Sequence, residues 1–599
     1  MLLFIGSVLA AERVTILHTN DWQSRLLGTP NQTYSPETVG DDDSLGGVAR
    51  IATLATERRA AIDGPVLLVD AGDITMGSLF HLVSRETGGE LELMAMLDYT
   101  AVTLGNHDFD FRPQGLADMI GAAGAVPPIV ASNLVLDPNH PGDDGLEALV
   151  EQGVLVDRLI VEEEGLVVGF IGLLGKDATE VMGQAEPVTS ADQVETTTRL
   201  ARVLREEGAD LVVVLSHSGI ELQEDGTWGD EDVELLRAVP GVDVLVSGHS
   251  HTALETVVMV DGRPLVAAGA NTQFLGELSL ERSGDSWVVL DYELHSIDDQ
   301  ILGDPEVTAK VEELQEAVSE RLAPARFDDL VAEVDHPLGK AEDEHELANI
   351  VTDAYRLATG ADLGMTGNGT IRAELAPGPL QRSDLFLVDP LGIGSLDDSP
   401  GYALVVAWFT GDDIQDVLDF LLIAHLTKGS SYVPRISGAE IFVNPRRIPL
   451  DQIDEVVFAD GSTLDDEELY GVAMTSYVAT FMPLVADMTK GLLAPQMRGA
   501  DGAPVDVAEL YDNDPTTPDI QELKAWRALA DHVATIPDLD ADGLPDLPPR
   551  GVASNRFVER PSWRLLKNSS WRMKSVVGVP AALVLLLLVW RVRASLRAP

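Results

Sequence analysis

From residue 13 to about 294, short β-branched apolar runs alternate with stretches of helical spacing, and several of the runs end in polar clusters. The runs are 14–18, 66–69, 102–104, 129–131, 167–171, 211–215 and 244–246; 266–268, 278–280 and 287–290 follow at the closer spacing of a meander. This alternation predicts an α/β sandwich with central sheets and outer helices. The clusters are His18-Thr19-Asn20-Asp21, Asp70-Ala71-Gly72-Asp73, Gly105-Asn106-His107-Asp108, Ser216-His217 and Ser247-Gly248-His249-Ser250-His251. Ligands of open α/β sheets bind beyond the carboxyl ends of strands, so five such clusters predict one shared site.

Composition narrows the chemistry. The 599 residues, 45% of them hydrophobic, are enough for several buried cores. Acidic residues outnumber basic ones 99 to 40, a formal charge of −59, and a chain so negative repels phosphate backbones. Nucleic acid is therefore excluded as a partner. There is no Cys, which excludes disulfides, thiolate metal sites and cysteine nucleophiles. Any metal must be held by His, Asp, Glu, Asn or Gln.

Both ends are apolar. Residues 1–11 read as the tail of a secretory signal lacking its basic n-region, with Val8 and Ala10 suited to cleavage before Ala11. Residues 575–592 hold about fifteen uninterrupted apolar residues, flanked by Trp571 and Trp590, and read as a short membrane span. Together they predict an exported chain, cell-surface or periplasmic, anchored at its C-terminus. A sorting signal that is later removed is the rival reading of the last segment.

The remainder divides as 12–300 for the sandwich, 301–329 for a connecting helix, and 330–535 for a second α/β region. The second region has helices near 347–358 and 412–425 and strands at 361–365, 404–409 and near Ile441 and Val472. Residues 536–574 turn Pro-, Asp- and then Arg-rich and read as a linker to the anchor. Within it, Asp538, Asp540, Asp542 and Asp546 around Gly543 have the alternate carboxylates of a calcium loop; Pro549 at position twelve excludes an EF-hand, and a solvated acidic linker is the alternative.

A pair of divalent ions can bind both the attacking and the leaving oxygens of a phosphoryl transfer, given a bridging carboxylate and ligands from several strand ends. Asp21, Asp73, Asn106, His217, His249 and His251 each stand just past an apolar run. In these motifs, Leu17-His18-Thr19-Asn20-Asp21, Asp70-Ala71-Gly72-Asp73, Leu104-Gly105-Asn106-His107-Asp108-Phe109-Asp110, Ser216-His217-Ser218-Gly219 and Ser247-Gly248-His249-Ser250-His251, the chain resembles the calcineurin-like metallophosphoesterases. More narrowly, it is similar to the 5′-nucleotidase/UDP-sugar hydrolase family over residues 13 to about 535.

The resemblance implies a four-layer αββα metallophosphoesterase domain, a connecting helix and an α/β substrate-binding C-terminal domain, to which the terminal membrane helix is added. It implies that Asp73 bridges two ions, with Asp21 and His251 at the first and Asn106, His217 and His249 at the second. Mn or Zn suits the mixed ligand set. His107 and Asp110 match the family's catalytic dyad, Asp110 fixing the imidazole tautomer. A metal-held hydroxide would attack phosphorus, and His107 would stabilise the transition state or protonate the leaving oxygen. The family's first motif is Asp-x-His, whereas this chain has Asp21-Trp22-Gln23; Gln23 either ligates through its carboxamide oxygen or leaves that place to water.

In the second region, Gly367-Asn368-Gly369-Thr370-Ile371-Arg372 resembles the family's substrate-binding turn, with Asn368, Gly369 and Arg372 facing an anion. Asp389-Pro390-Leu391-Gly392 stands where the family has Pro-Phe-Gly, and the later aromatic turn is missing, although Tyr477 or Phe481 could substitute. The implied activity is release of phosphate from nucleotides. The alternatives are UDP-sugar or cyclic-nucleotide hydrolysis on the same fold, and a surface binding or adhesion protein with an impaired metal site.

Overall fold

The computed structural model describes residues 13–223, 225–339, 346–394, 396, 399–510, 522–549 and 557–563. The expected signal segment 1–11 and membrane span 575–592 lie outside the described residues. Among the described residues, no helix is long and apolar enough to cross a membrane. The described residues form two compact units, one of those up to 329 with 381–393, the other of 330–380 with those from 394 on.

The first unit is built on two large sheets. One runs in the order Ser286–Ser296, Phe274–Ser283, Arg13–Thr19, Val66–Asp70, Ala101–Val102, Ile129–Val130, Leu155–Val156. The other runs Val258–Val260, Arg263–Val266, Val244–Ser247, Leu211–His217, Leu166–Leu174, Leu159–Glu163. The central strands of both are parallel. Between the sheets lies a core that includes Ile16, Leu67, Val69, Phe170, Val213, Leu215 and Val246. Strand Leu211–His217 shows why its sequence is apolar without interruption. Val213 and Leu215 enter that core, while Val212 and Val214 face a second core shared with helices Gln193–Glu206 and Glu231–Ala238. Successive side chains point to opposite faces, and here both faces are covered.

Two expectations need adjustment. The helix expected at 301–329 is present as Pro305–Leu322, but it packs on helices Val48–Ala61, His81–Thr87 and Gly89–Met96 as part of the first unit's outer layer. Its Val307, Val311, Leu314 and Val318 form the buried stripe. Residues 381–393, read as part of the second region, belong to the first unit. The Asn31 N–H donates to Asp384 Oδ1 at 2.8 Å, and Gln184 Nε2 donates to the Ile393 carbonyl at 3.1 Å.

The second unit is built on a four-stranded sheet ordered Leu404–Thr410, Leu469–Thr475, Leu363–Gly367, Pro434–Ser437. Its core includes Met365, Val405, Ala407, Leu418, Ile436 and Met474. The stretch read as a linker from 536 carries strands instead. Asp546–Leu547 pairs in parallel with Leu330–Val334, and Phe557–Glu559 pairs in parallel with Ala439–Val443.

Candidate metal centre and catalytic dyad

In the first unit, strand Leu211–His217 ends on His217 itself, and the carboxyl ends of Arg13–Thr19, Val66–Asp70 and Val244–Ser247 lead into the loops that carry Asp21, Asp73, His249 and His251. The loops close on each other through the backbone: Asp21 N–H donates to the Gly72 carbonyl at 2.9 Å and Gln23 N–H to the Asp73 carbonyl at 3.0 Å. Ligand atoms of Asp21, Asp73 and His217, all buried, lie within 4.8 Å of one another. His217 Nε2 is 3.2 Å from Asp73 Oδ2 and 3.3 Å from Asn106 Oδ1. The His249 ring stands 5.1 Å from the His217 ring, and its backbone N–H donates to Asp21 Oδ2 at 3.0 Å. His251 Nε2 is 3.4 Å from Asp21 Oδ1 and 3.0 Å from Gln23 Nε2.

Of these residues, Asp21, Asp73 and His217 come close enough together to hold a metal ion. The ring of His217 meets the Ala71 carbonyl through Nδ1 at 2.8 Å, which orients Nε2 toward Asp73. Asp21 Oδ1 is buried and takes no hydrogen bond, as a carboxylate oxygen reserved for a cation would. Burial alone would lower the His217 pKa, yet Asp73 and Asp21 push it up to about 10. Burial would raise Asp73, but His217 and His107 hold it below the ordinary carboxylate range. The field that retains a proton here favours a cation equally.

Backbone strain concentrates at the same positions. Asp21, Gln23, Asp73, His249 and His251 have φ of +52°, +50°, +58°, +72° and +54°. Non-glycine residues in this region cost on the order of 1–3 kcal/mol each and are found at functional sites.

His107 and Asp110 are brought together: His107 Nδ1 is 3.0 Å from Asp110 Oδ2 across an i, i+3 turn, with His107 partly exposed. The His107 backbone N–H donates to Asp73 Oδ1 at 2.8 Å, which couples the dyad to the proposed bridging carboxylate. Gly105 is required by contact. A Cβ there would stand 2.1 Å from Asp73 Oδ1 and 2.5 Å from the Asp73 nitrogen. Gly105→Ala is expected to destabilise the protein by about 1–3 kcal/mol and displace Asp73; an unchanged melting temperature would refute that reading.

Two further buried carboxylates hold the loops, and sequence reasoning missed the second. Asp108 accepts from the N–H groups of Gly105, Ile74 and Thr75 at 2.8, 3.0 and 3.0 Å. Asp232 accepts from Ser247 Oγ at 2.5 Å and the Gly219 N–H at 3.2 Å, tying together the two loops that follow the Leu211–His217 and Val244–Ser247 strands. Asp108 has its signal in the Asn-His-Asp run. Asp232, in the first turn of a helix, looks like any acidic surface residue until its full burial is seen.

The second unit places Asn368 and Gly369 in a 3-10 turn at the end of strand Leu363–Gly367, with Arg372 half-buried just beyond. Asn368 Oδ1 accepts from Nη2 and Nε of the buried Arg435 at 3.1 and 3.3 Å, a guanidinium not singled out in the sequence. The glycine at 369 is explained by packing, since a Cβ would lie 2.9 Å from Ser431 Cβ. Leu391, at the expected base-stacking position, is buried within the first unit. Tyr477 stacks on Tyr402 at 5.1 Å and meets Phe481 edge-on at 4.9 Å. In the acidic loop, Asp538 binds the backbone N–H groups of Ala541 and Gly543, and Asp546 that of Leu539. Asp540 and Asp542 instead come together with Glu333, a residue that no motif marks.

Residues 14–253 match the family described as calcineurin-like phosphoesterase, and residues 331–482 match the 5′-nucleotidase C-terminal domain. The trifunctional nucleotide phosphoesterase protein YfkN of Bacillus subtilis is 24% identical over 509 residues, 78% of this chain and 32% of that protein. Human 5′-nucleotidase is 31% identical over 304 residues, 47% of this chain and 49% of that one. The match thus spans about a third of the first relative's length and about half of the second's. The 5′-nucleotidase precursor of Thermus thermophilus has the same fold, with a TM-score of 0.68 at 23% identity over 92% of this chain and all of that one. The chain belongs to the 5′-nucleotidase family, joining a calcineurin-like phosphoesterase domain to a 5′-nucleotidase C-terminal domain.

Proposed function

We propose that the protein is an exported, metal-dependent phosphohydrolase that removes phosphate from nucleotides, with the first unit catalytic and the second recognising substrate. The observation that carries this reading is the convergence of Asp21, Asp73 and His217 on one point, with His107 tied to Asp73 by its backbone N–H. Asp21, Gln23, Asp73, Asn106, His217, His249 and His251 would hold two divalent ions. Such ions, Mn or Zn, would supply Lewis-acid polarisation of the phosphoryl group and an activated water.

The protein's own groups do the rest. Asp110 accepts the Nδ1 proton of His107 and leaves Nε2 to carry the exchangeable proton, so that imidazolium can offset charge on the phosphoryl oxygens or protonate the leaving oxygen. Arg372, with the Asn368–Gly369 turn, would fix an anionic group of the substrate, Arg435 holding Asn368 in place. Export rests on the apolar leader at 1–11, and anchoring on 575–592.

Purified protein with Mn2+ or Zn2+ should release phosphate from AMP faster than it cleaves UDP-glucose, a cyclic nucleotide or an artificial phosphodiester. Arg372→Ala should raise KM for AMP about tenfold or more while kcat changes less, since a charge-assisted contact contributes roughly 1.5–3 kcal/mol. Silence towards all four substrates with either metal would overturn the assignment.

A further inference from the structure

The residues that meet at the strand ends do not form two equivalent halves. Beside Asp21 stand Gln23 and His251, with His251 Nε2 3.4 Å from Asp21 Oδ1 and 3.0 Å from the Gln23 carboxamide. Beside Asp73 stand His217 and Asn106, with His217 Nε2 3.2 Å from Asp73 and 3.3 Å from Asn106, and the His249 ring lies 5.1 Å from that of His217 with its Nε2 3.7 Å from Asp177 Oδ2. With Asp73 shared, the first half offers two carboxylates, a carboxamide and one imidazole. The second offers a carboxylate, a carboxamide and two imidazoles. Carboxylate and carbonyl oxygens suit Mg2+ and Mn2+, whereas imidazole suits Zn2+.

We propose that the Asp21–Gln23–His251 half is selective for Mn2+ or Mg2+ over Zn2+, and that Gln23 sets this preference; the inference rests on the two-ion reading above. Gln23 is built into the site. It is 4% exposed, holds φ at +50°, and donates its backbone N–H to the Asp73 carbonyl. Its neighbour on the facing loop is Gly77, where a Cβ would come within 2.7 Å of the Gln23 carbonyl oxygen. The backbone at Gln23 is thus closely packed, and its carboxamide stands 3.0 Å from His251 Nε2. A half-turn of its terminal group exchanges oxygen and nitrogen, so it can present Oε1 where an imidazole would present nitrogen. A neutral oxygen in that place weakens the position for Zn2+ and leaves it suited to a harder ion.

The full chain, stripped of metal by a chelator, is titrated with Zn2+ and with Mn2+ by calorimetry, and bound Mn2+ is followed by electron paramagnetic resonance. The natural sequence should bind one Zn2+ tightly and a second about tenfold or more weakly, and Mn2+ should fill the second position beside one equivalent of Zn2+. Gln23→His should close the gap between the two Zn2+ steps by about tenfold and exclude Mn2+. Zn2+ preferred over Mn2+ at both positions of the natural chain, or unchanged steps in a folded Gln23→His protein, overturns the proposal. If that variant does not fold, the Zn2+/Mn2+ competition in the natural chain decides alone. Failure of either ion to bind at all overturns the two-ion reading itself.

Discussion

Asp73→Asn is expected to reduce phosphate release by at least about 10²-fold and to weaken binding of Mn2+ or Zn2+ by a similar factor, because even residues one step removed from a metal contribute 10–100-fold. Asp73 Oδ2 faces His217 and Oδ1 accepts the His107 N–H, so one carboxylate serves both the ligand set and the dyad. Asn keeps the shape but loses the charge that offsets a cation in this buried site. Calorimetry and metal content after dialysis read the first loss, and steady-state rates the second; a variant that keeps both would remove Asp73 from the centre. The same electrostatics fix a pH dependence. In metal-stripped protein His217 keeps its proton up to about pH 10, so a cation must displace that proton. Metal affinity should therefore rise as pH increases from 6.5 towards 10, with proton release measurable in buffers of different ionisation enthalpy.

His107→Ala should separate chemistry from metal binding. The expected loss is about 10²–10⁴-fold in kcat with metal affinity nearly unchanged, the range for a positioned acid or base. Asp110→Asn should fall between the two proteins and alter the pH profile, since it disturbs the Nδ1 partner at 3.0 Å while leaving the ring in place. A His107→Ala protein that turns over within a few-fold of the natural one would show that the metal ligands suffice.

The site was more legible in the sequence than the boundaries around it. Strand-end motifs are local, and the parallel sheets bring the ends of Val66–Asp70 and Leu211–His217 together without any distant signal. Strand ends were less exact. The run expected at 102–104 is ordered as Ala101–Val102, although the Thr103 N–H still donates to the Asp70 carbonyl at 3.1 Å. Asp546–Leu547 and Phe557–Glu559 could not be read at all, since their Pro- and Asp-rich surroundings resemble a linker and their partners lie more than a hundred residues away. Buried Asp232 was invisible for a related reason. Acidic residues are so abundant in this chain that burial, not identity, marks the structural ones.

Those two late strands also close the second unit with its own chain end. Asp546–Leu547 forms the edge of a three-stranded sheet beside Leu330–Val334, and Phe557–Glu559 forms the edge of another beside Ala439–Val443. Cutting the chain at 536 would strip one edge from each sheet and leave the backbone groups of Leu330–Val334 and Ala439–Val443 without those partners.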